Sequence, residues 1–511
     1  MNVIHGDCLE ELKKLDDNSV DAVVCDPPYG LSNTKPAQVA DVLKAWVTGD
    51  TVSVPAKRGG FMGADWDSFV PPPAVWEECM RVLKPGGHMA VFAGARTQDL
   101  MGLSIRLAGF EIRDTLGWIY GSGMPKSMDI SKAIDKQRDD YPAIREVVMF
   151  IREAVAASTV DRSRLDEALG GSAIMSHFLA PSRSNAGCPK WDQWQTLKSI
   201  LHFGDDMDAE VWRLNGRKGK PGEAWEKREV TGVYEQPNGV NEWAGNYTGT
   251  KKAGIKERRD IPATSEAQRW DGWGTALKPA IEPIILARKP LDGTVASNVL
   301  AHGVGGLNID ACRVQTDDDT ARTCNGVGTS SSFDMAASGE RRVNGGSPAG
   351  RFPANVLLDE HAAKEMDEQS GIVPSGGRTS ARNAPKFSNG VYGEWSGAEE
   401  KTYTPDTGGA SRYFPVFKYQ AKAPKKERPV IEREDGTKIQ HNTVKPLALM
   451  EWLVALIVPP GGTVLDPFAG SGTTLQAAIN KGFTPIGIEQ DADYIKLIEK
   501  RLEATCTTHK N

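Results

Sequence analysis

Val464-Leu465-Asp466-Pro467-Phe468-Ala469-Gly470-Ser471-Gly472-Thr473-Thr474 is the stretch whose reading decides the fold. An apolar run enters it, a glycine-rich turn follows, and Leu475-Gln476-Ala477-Ala478-Ile479 opens a helix, so it reads as strand, tight loop and helix. Glycines at 470 and 472 let the backbone turn sharply and approach a ligand where a Cβ would clash. Beyond the helix, Pro485-Ile486-Gly487-Ile488-Glu489 reads as a second buried strand ending in a carboxylate. This is the layout of a nucleoside-binding βαβ unit, with the acid placed for ribose hydroxyls. Leu475 stands where the third glycine of a dinucleotide fingerprint would fall, which argues against a pyrophosphate ligand.

A glycine-rich loop alone is weak evidence. The second motif is Asp26-Pro27-Pro28-Tyr29, again behind an apolar run, Val20–Cys25. Together the two motifs resemble the amino-methyltransferases of DNA, which methylate the exocyclic nitrogen of adenine or cytosine. The order, catalytic motif before cofactor motif, is similar to the permuted subgroup called the β class. His5-Gly6-Asp7-Cys8-Leu9 and His441-Asn442-Thr443-Val444-Lys445-Pro446 also match. The resemblance covers residues 1–130 and 435–505, and extends to 270–292. It implies a doubly wound, mostly parallel α/β sheet of the Rossmann-like kind, interrupted by a large recognition region, with S-adenosyl-L-methionine as cofactor.

The resemblance also implies roles. Phe468, Gly470 and Gly472, with Thr473 beside them, would cradle the methionine part of the cofactor. Asp466 would lie within reach of its amino group, Glu489 would take the ribose, and Asp7 would contact the adenine ring. Thr443 and Lys445 would lie along the cofactor. Simpler readings stand beside two of these: Asp7 as the N-cap of the helix that follows it, and Thr443 and Pro446 as a helix entry.

The chemistry follows from the target. An exocyclic amino nitrogen is a poor nucleophile because its lone pair is delocalised into the ring. Two acceptors aimed at its two hydrogens would draw it toward a tetrahedral shape; the Asp26 carboxylate and the Pro27 carbonyl are the candidates. Pro27 and Pro28 stiffen the loop and hold both acceptors at low entropic cost. Tyr29 offers a flat face on which an extruded base stacks. Direct displacement needs no metal and no covalent enzyme intermediate. Methylation at cytosine C5 would need a nucleophilic cysteine, usually in Pro-Cys, and the chain has the reversed Cys188-Pro189.

Asp at the first motif position is commoner in adenine enzymes, which favours adenine N6. N4-cytosine methylation is the alternative, and a non-catalytic DNA-binding protein that keeps the fold is a second. Relatives acting on RNA more often carry Asn in place of Asp26. The expected partner is double-stranded DNA, with any restriction endonuclease on a separate chain. The protein itself is expected as a monomer or homodimer.

Composition agrees with a globular protein: 39% hydrophobic and 25% charged residues over 511 positions. No apolar run approaches the ~18 residues that a bilayer-spanning helix requires, and Met1-Asn2-Val3-Ile4-His5 carries no basic, apolar leader. The seven cysteines form no Cys-x-x-Cys pair, which points to a reducing cytoplasm and not to a disulfide framework or zinc knuckle. A net charge of −6 means that a nucleic-acid binder must concentrate its positive charge locally. Two dense places are Lys251, Lys252, Lys256, Arg258 and Arg259, and Lys418, Lys422, Lys425, Lys426 and Arg428. Each suits phosphate contact or an ordinary solvated loop.

Five segments follow: a catalytic half over 1–130; a helical insertion over 131–264; a return strand in 265–292; a loop-rich target-recognition region over 293–432; and a cofactor-binding half over 433–511. Within the insertion, 162–169 and 172–179 flank Gly170-Gly171 in a pattern compatible with a helix-turn-helix. Trp225, Tyr234, Trp243, Tyr247 and Trp270 are interleaved with basic residues, as in loops that stack on bases. The loop 31–70, next to Asp26, is placed to cover the site or touch DNA.

Overall fold

The computed structural model describes residues 2–32, 34–55, 67–121, 123, 127–137, 140–171, 174–179, 187–217, 220–236, 254–316, 349–375, 406–417, 427–433, 435–441 and 443–508. These fall into two compact units, one formed by Met1–Gly123 with Pro279–Asn511, the other by Met124–Lys278.

The first unit is built on a nine-stranded sheet. In chain order its strands are β1 (Asn2–His5), β2 (Val20–Cys25), β3 (Leu83–Phe92), β4 (Glu111–Ile119), β5 (Ile281–Arg288), β6 (Val356–Asp359), β7 (Val416–Phe417), β8 (Thr463–Asp466) and β9 (Thr484–Glu489). In space they run β1-β9-β8-β2-β3-β5-β4-β6-β7. All neighbours are parallel except those of β5, which pairs antiparallel with both β3 and β4. The fold is therefore the doubly wound, mostly parallel α/β sheet expected.

The central strands are apolar throughout because both faces are covered. Val23 and Cys25 of β2 and Met89 and Val91 of β3 share one core with Leu12, Trp76, Cys79, Met101 and Ile105. Those five come from or beside the helices α1 (Cys8–Leu12), α3 (Pro73–Val82) and α4 (Gln98–Leu107), with α2 (Pro36–Val47) packed nearby. The alternate residues, Ala22, Val24, Ala90 and Phe92, belong to a second core. It is filled by α7 (Leu447–Ile457) and α8 (Thr473–Asn480), while α9 (Ala492–Thr508) closes on Leu475. The numbering leaves α5 (Val295–His302) and α6 (Glu360–Ser370) between them.

Two local readings change. Lys84-Pro85-Gly86-Gly87 looks like a turn in sequence, yet β3 begins at Leu83, and a register shift against β2 absorbs the irregular residues. The stretch 293–432 looks loop-like, yet β6 and β7 come from it and extend the sheet beyond β4. Both strands are short, four and two residues, so no periodicity announces them.

The second unit packs its own apolar core, with Val147, Ile151, Leu165, Trp194 and Leu197 fully buried. Its helices include Tyr141–Ala157, Arg162–Ala168, Met175–Phe178, Trp191–Leu201 and Asp208–Gly216. The segment across Gly170-Gly171 is Met175–Phe178, four residues long, where a recognition helix in a major groove needs several turns. A two-stranded hairpin, Gly232–Gln236 with Gly254–Arg258, occupies part of what reads as loop.

Candidate active site

Both motifs sit where the sheet changes direction. From β8 the order proceeds outward through β9 to β1, and from β2 through β3. β8 and β2 are adjacent and parallel, with Leu465 opposite Val23, so Asp466 and Asp26 emerge at the same carboxyl edge. Crevices at such switch points are where open α/β sheets bind ligands.

On the β8 side, Asp466 is 2% exposed and accepts a hydrogen bond from the Phe468 amide at 3.0 Å. Burial raises its carboxyl to about 7, against the opposing pull of the Thr474 hydroxyl and that amide. Gly470 and Gly472 carry φ of +54° and +77°. A Cβ on Gly470 would come within 3.0 Å of His441 Nε2, so the loop passes that ring with room for hydrogen only. The Gly470 amide donates to Glu489 Oε2 at 2.8 Å, and the Asp491 amide donates to Oε1 at 2.9 Å. Burial raises the Glu489 carboxyl above its usual range. The ring of Phe468 lies 6.1 Å from Trp76, and Thr473 is the buried first residue of α8.

Asp7 follows β1, whose His5 is opposite Glu489 in β9. Its carboxylate caps α1, accepting from the amides of Leu9 at 3.0 Å and Glu10 at 3.3 Å. The capping geometry is thus present, on the edge that also carries Glu489.

Thr443 is exposed, and its carbonyl oxygen lies 3.1 Å from His441 Nδ1. It does not cap α7. The amide of Leu447 is met instead by Glu427 Oε2 at 3.3 Å. His441 packs edge-on against Tyr494, and burial lowers it to about 4, leaving a neutral ring beside the glycine loop.

On the β2 side, Asp26, Tyr29 and Lys445 are in direct contact. Tyr29 Oη donates to Asp26 Oδ1 at 2.8 Å, and Lys445 Nζ stands 2.9 Å from Asp26 Oδ2 and 2.9 Å from Tyr29 Oη. Lys445, expected along the cofactor, is therefore placed with the Asp-Pro-Pro-Tyr loop. Glu282 joins them, its Oε2 3.1 Å from Lys445 Nζ and 3.3 Å from Tyr29 Oη. Burial alone would lower the lysine, but Asp26 and Glu282 outweigh it and hold Lys445 well above the usual range. Burial and the same two carboxylates push Tyr29 up, so its hydroxyl stays a donor.

Glu282 is not among the residues singled out from sequence, where Ile281–Arg288 reads simply as an apolar strand. Because β5 runs against its neighbours, its first residues share an edge with the last residues of β2 and β3. A lone carboxylate at the entry of that strand is the signal. Asp67 is a second such residue, holding the amides of Tyr29 and Gly30. Phe61 to Trp66 of the same loop lie outside the described residues.

The basic patches are less free than their sequences imply. Arg258 pairs with Asp260, and Arg259 with Glu257. Lys251, Lys252, Lys418, Lys422, Lys425, Lys426, Trp243 and Tyr247 lie outside the described residues. Trp225 lies under Lys136 Nζ, 4.1 Å from its ring centre, whereas Tyr234 and Trp270 are exposed.

The DNA methylase family model (N6_N4_Mtase) matches residues 20–163 and 250–500, more than half of the chain. The chain belongs to that family. Among curated proteins it is similar to the type II methyltransferase M2.DpnII of Streptococcus pneumoniae, 41% identical over 70 residues, 14% of this chain and 26% of that protein. It is also similar to the DNA adenine methyltransferase YhdJ of Escherichia coli K12, 48% identical over 63 residues, 12% of this chain and 21% of that protein. These matches thus span about a quarter or less of the relatives' length. Among solved structures, a complex of M1.HpyAVI with SAM aligns over 98% of both chains at 12% identity and TM-score 0.32. The cytosine-N4-specific PvuII DNA methyltransferase aligns over 98% of this chain and 85% of its own at 10% identity and TM-score 0.34.

Proposed function

We propose that this protein transfers a methyl group from S-adenosyl-L-methionine to the exocyclic N6 of adenine in double-stranded DNA. The observation that carries the reading is the emergence of Asp26–Tyr29 and Asp466–Gly472 at the carboxyl ends of two adjacent parallel strands. Adenine is favoured over cytosine by Asp26 at the first motif position, and by the adenine activity named for the E. coli relative.

Phe468 and the backbone at Gly470 and Gly472 cradle the methionine part of the cofactor; the Cβ-free passage beside His441 leaves that backbone approachable. Asp466 receives the amino group, Glu489 the ribose hydroxyls, Asp7 and Thr473 flank the edge, and Thr443 lies beside His441. Bound there, the cofactor supplies an electrophilic methyl on a sulfonium. The Asp26 carboxylate and the Pro27 carbonyl accept the two amino hydrogens of a base extruded against Tyr29. The N–C bond forms as the S–C bond breaks, and its electron pair stays on sulfur. The alkylated nitrogen then sheds one proton, for which Asp26 is the nearest carboxylate. Lys445 serves this half of the site through Asp26.

The unit Met124–Lys278 and the stretch 293–432 are proposed to read the target sequence. A separate endonuclease partner and a cytoplasmic location go with this reading. Among the described residues no helix is long and apolar enough to cross a membrane.

The test is to incubate purified protein with labelled cofactor and duplex DNA, digest to nucleosides and weigh the products. N6-methyl-2′-deoxyadenosine appearing with wild type and vanishing with Asp26→Ala supports the reading. N4-methyl-2′-deoxycytidine moves it to the alternative base. Cofactor binding without transfer to any DNA overturns it.

A further inference from the structure

Glu282 lies outside the two motifs, yet it completes a closed network with three residues of the proposed site. The Lys445 ammonium has three N–H donors, and three acceptors surround it: Asp26 Oδ2 at 2.9 Å, Tyr29 Oη at 2.9 Å and Glu282 Oε2 at 3.1 Å. Tyr29 Oη in turn donates to Asp26 Oδ1 at 2.8 Å. Both oxygens of Asp26 are therefore fixed, one by a donor of its own loop and the other by a lysine more than 400 positions away. Lys445 is 9% exposed, and its Nζ lies 4.9 Å from the Phe92 ring centre and 5.2 Å from that of Tyr29. An ammonium is not held there by solvent. The two carboxylates hold it, and neither alone would reach all of its donors.

We infer that Lys445 and Glu282 form a positioning pair for Asp26: Lys445 is the counter-charge that orients this carboxylate, and Glu282 anchors Lys445 so that its ammonium is aimed at Asp26. The inference rests on the proposed reading of Asp26 as the acceptor for the target amino group. Each carboxylate oxygen retains a second lone-pair direction after accepting one donor, so the network leaves Asp26 able to accept from a base. Asp26, Glu282 and Lys445 together carry one net negative charge, the sign that favours positive charge developing on an alkylated nitrogen. The other titratable groups facing Asp26 are Tyr29 from its own loop, Cys25 before it and Asp466 across the strand pair. Among the described residues in contact with Asp26, Lys445 is the one cation.

The experiment has a readout that does not depend on turnover. The protein is labelled with carbon-13 at aspartate Cγ, the Asp26 signal is assigned by its loss in Asp26→Asn, and its titration is followed by NMR in wild type, Lys445→Met and Glu282→Gln. Removing an opposite charge this close is expected to move a carboxylate titration up by about 1–3 pH units, so Asp26 should titrate that much higher in Lys445→Met. In Glu282→Gln the lysine loses its anchor, so Asp26 should again move up, by less than in Lys445→Met; a downward move is what loss of a neighbouring negative charge alone would give. Lys445→Arg, which keeps the charge, should restore most of the wild-type midpoint. An Asp26 midpoint unmoved in a folded Lys445→Met overturns the inference, as does a downward move in Glu282→Gln, which also serves should Lys445→Met fail to fold. In methyl-transfer assays the same pair should lower kcat at neutral pH with KM for the cofactor nearly unchanged. Shifted midpoints in a protein that methylates no DNA would sink the proposed activity and leave the pairing standing.

Discussion

The carboxylate of Asp67 accepts the Tyr29 amide at 2.7 Å, and the same oxygen accepts the Gly30 amide at 2.9 Å. Asp67 is 3% exposed, so the loop after the two prolines is tied down by a buried charged acceptor. Thr97 adds a third tie, its hydroxyl donating to the Tyr29 carbonyl at 2.6 Å. Asp67→Ala leaves two amides without their acceptor, at roughly 1–3 kcal/mol for a buried orphaned group. The variant should lose stability of that order in urea unfolding. It should lose kcat about tenfold or more as the Asp26 loop drifts, while calorimetric affinity for the cofactor, which the proposed function assigns to the β8 side, stays close to wild type.

The glycine loop makes a sharper contrast. Gly470 and Gly482 both have positive φ, +54° and +78°. A side chain at 470 meets His441 at 3.0 Å, whereas one at 482 meets open space. Strain in the left-handed region costs each alanine variant about 1–2 kcal/mol. Only Gly470→Ala should also weaken cofactor binding, by tenfold or more in titration calorimetry. Equal affinities for the two variants would show that the loop is not in the cofactor site.

Much of this is legible in the sequence. Val20–Cys25 and Thr463–Asp466 announce themselves because buried parallel strands are apolar on both faces, and loops at their ends carry unusual residues, paired prolines and glycines at positive φ. Glu282 and Asp67 were not legible. Each acts through a contact hundreds or tens of positions away, and a lone carboxylate, such as Glu282 at its strand entry, does not by itself point to that contact. Asp7 shows the opposite limit: capping and ligand contact call for the same residue at the same place, and sequence cannot separate them. The two short strands near 357 and 416 escape because two to four residues carry no period.

On the proposed reading, in which Asp466 receives the cofactor's amino group, this residue couples cofactor binding to pH. Its folded carboxyl stands at about 7 against an ordinary value of 3.8. Between those values the unfolded chain loses the proton and the folded chain keeps it, so this residue lowers stability as pH rises through that window and adds no further change above it. The amino group of the cofactor favours the ionised form. Affinity should therefore rise from pH 6 to pH 8 with release of a proton, visible as a buffer-dependent enthalpy in calorimetry. Asp466→Asn should flatten that rise and make the ligand-free protein more stable than wild type at pH 8 than at pH 5. A variant that binds with unchanged pH dependence would mean that Asp466 does not meet the amino group.

In the second unit, Arg228 and Asp135 form an ion pair at 2.6 Å with both side chains fully buried. Every branch of the guanidinium is used: Nε donates to the Arg259 carbonyl, one terminal nitrogen to Asp135 and Ser131, and the other to the Asp260 carbonyl at 2.7 Å. Asp135 also accepts the Thr264 hydroxyl at 2.7 Å and the Ala263 amide at 3.0 Å. Burial would raise this carboxyl, but those bonds and the arginine together hold it below its usual range. The stability it brings is thus present at neutral pH and is lost as pH falls through the folded value. Arg228→Met removes the countercharge and orphans Asp135, which for a buried pair costs about 3–5 kcal/mol. Unfolding should begin at lower urea at neutral pH, and the deficit against wild type should shrink as pH falls, because protonating Asp135 removes the orphaned charge. Arg228→Met with Asp135→Leu removes both charges and should recover a large part of the loss, because what is costly is one buried charge left alone. A double variant no more stable than Arg228→Met would assign the cost to the carbonyls that Arg228 gathers from 259 and 260, and not to the ion pair.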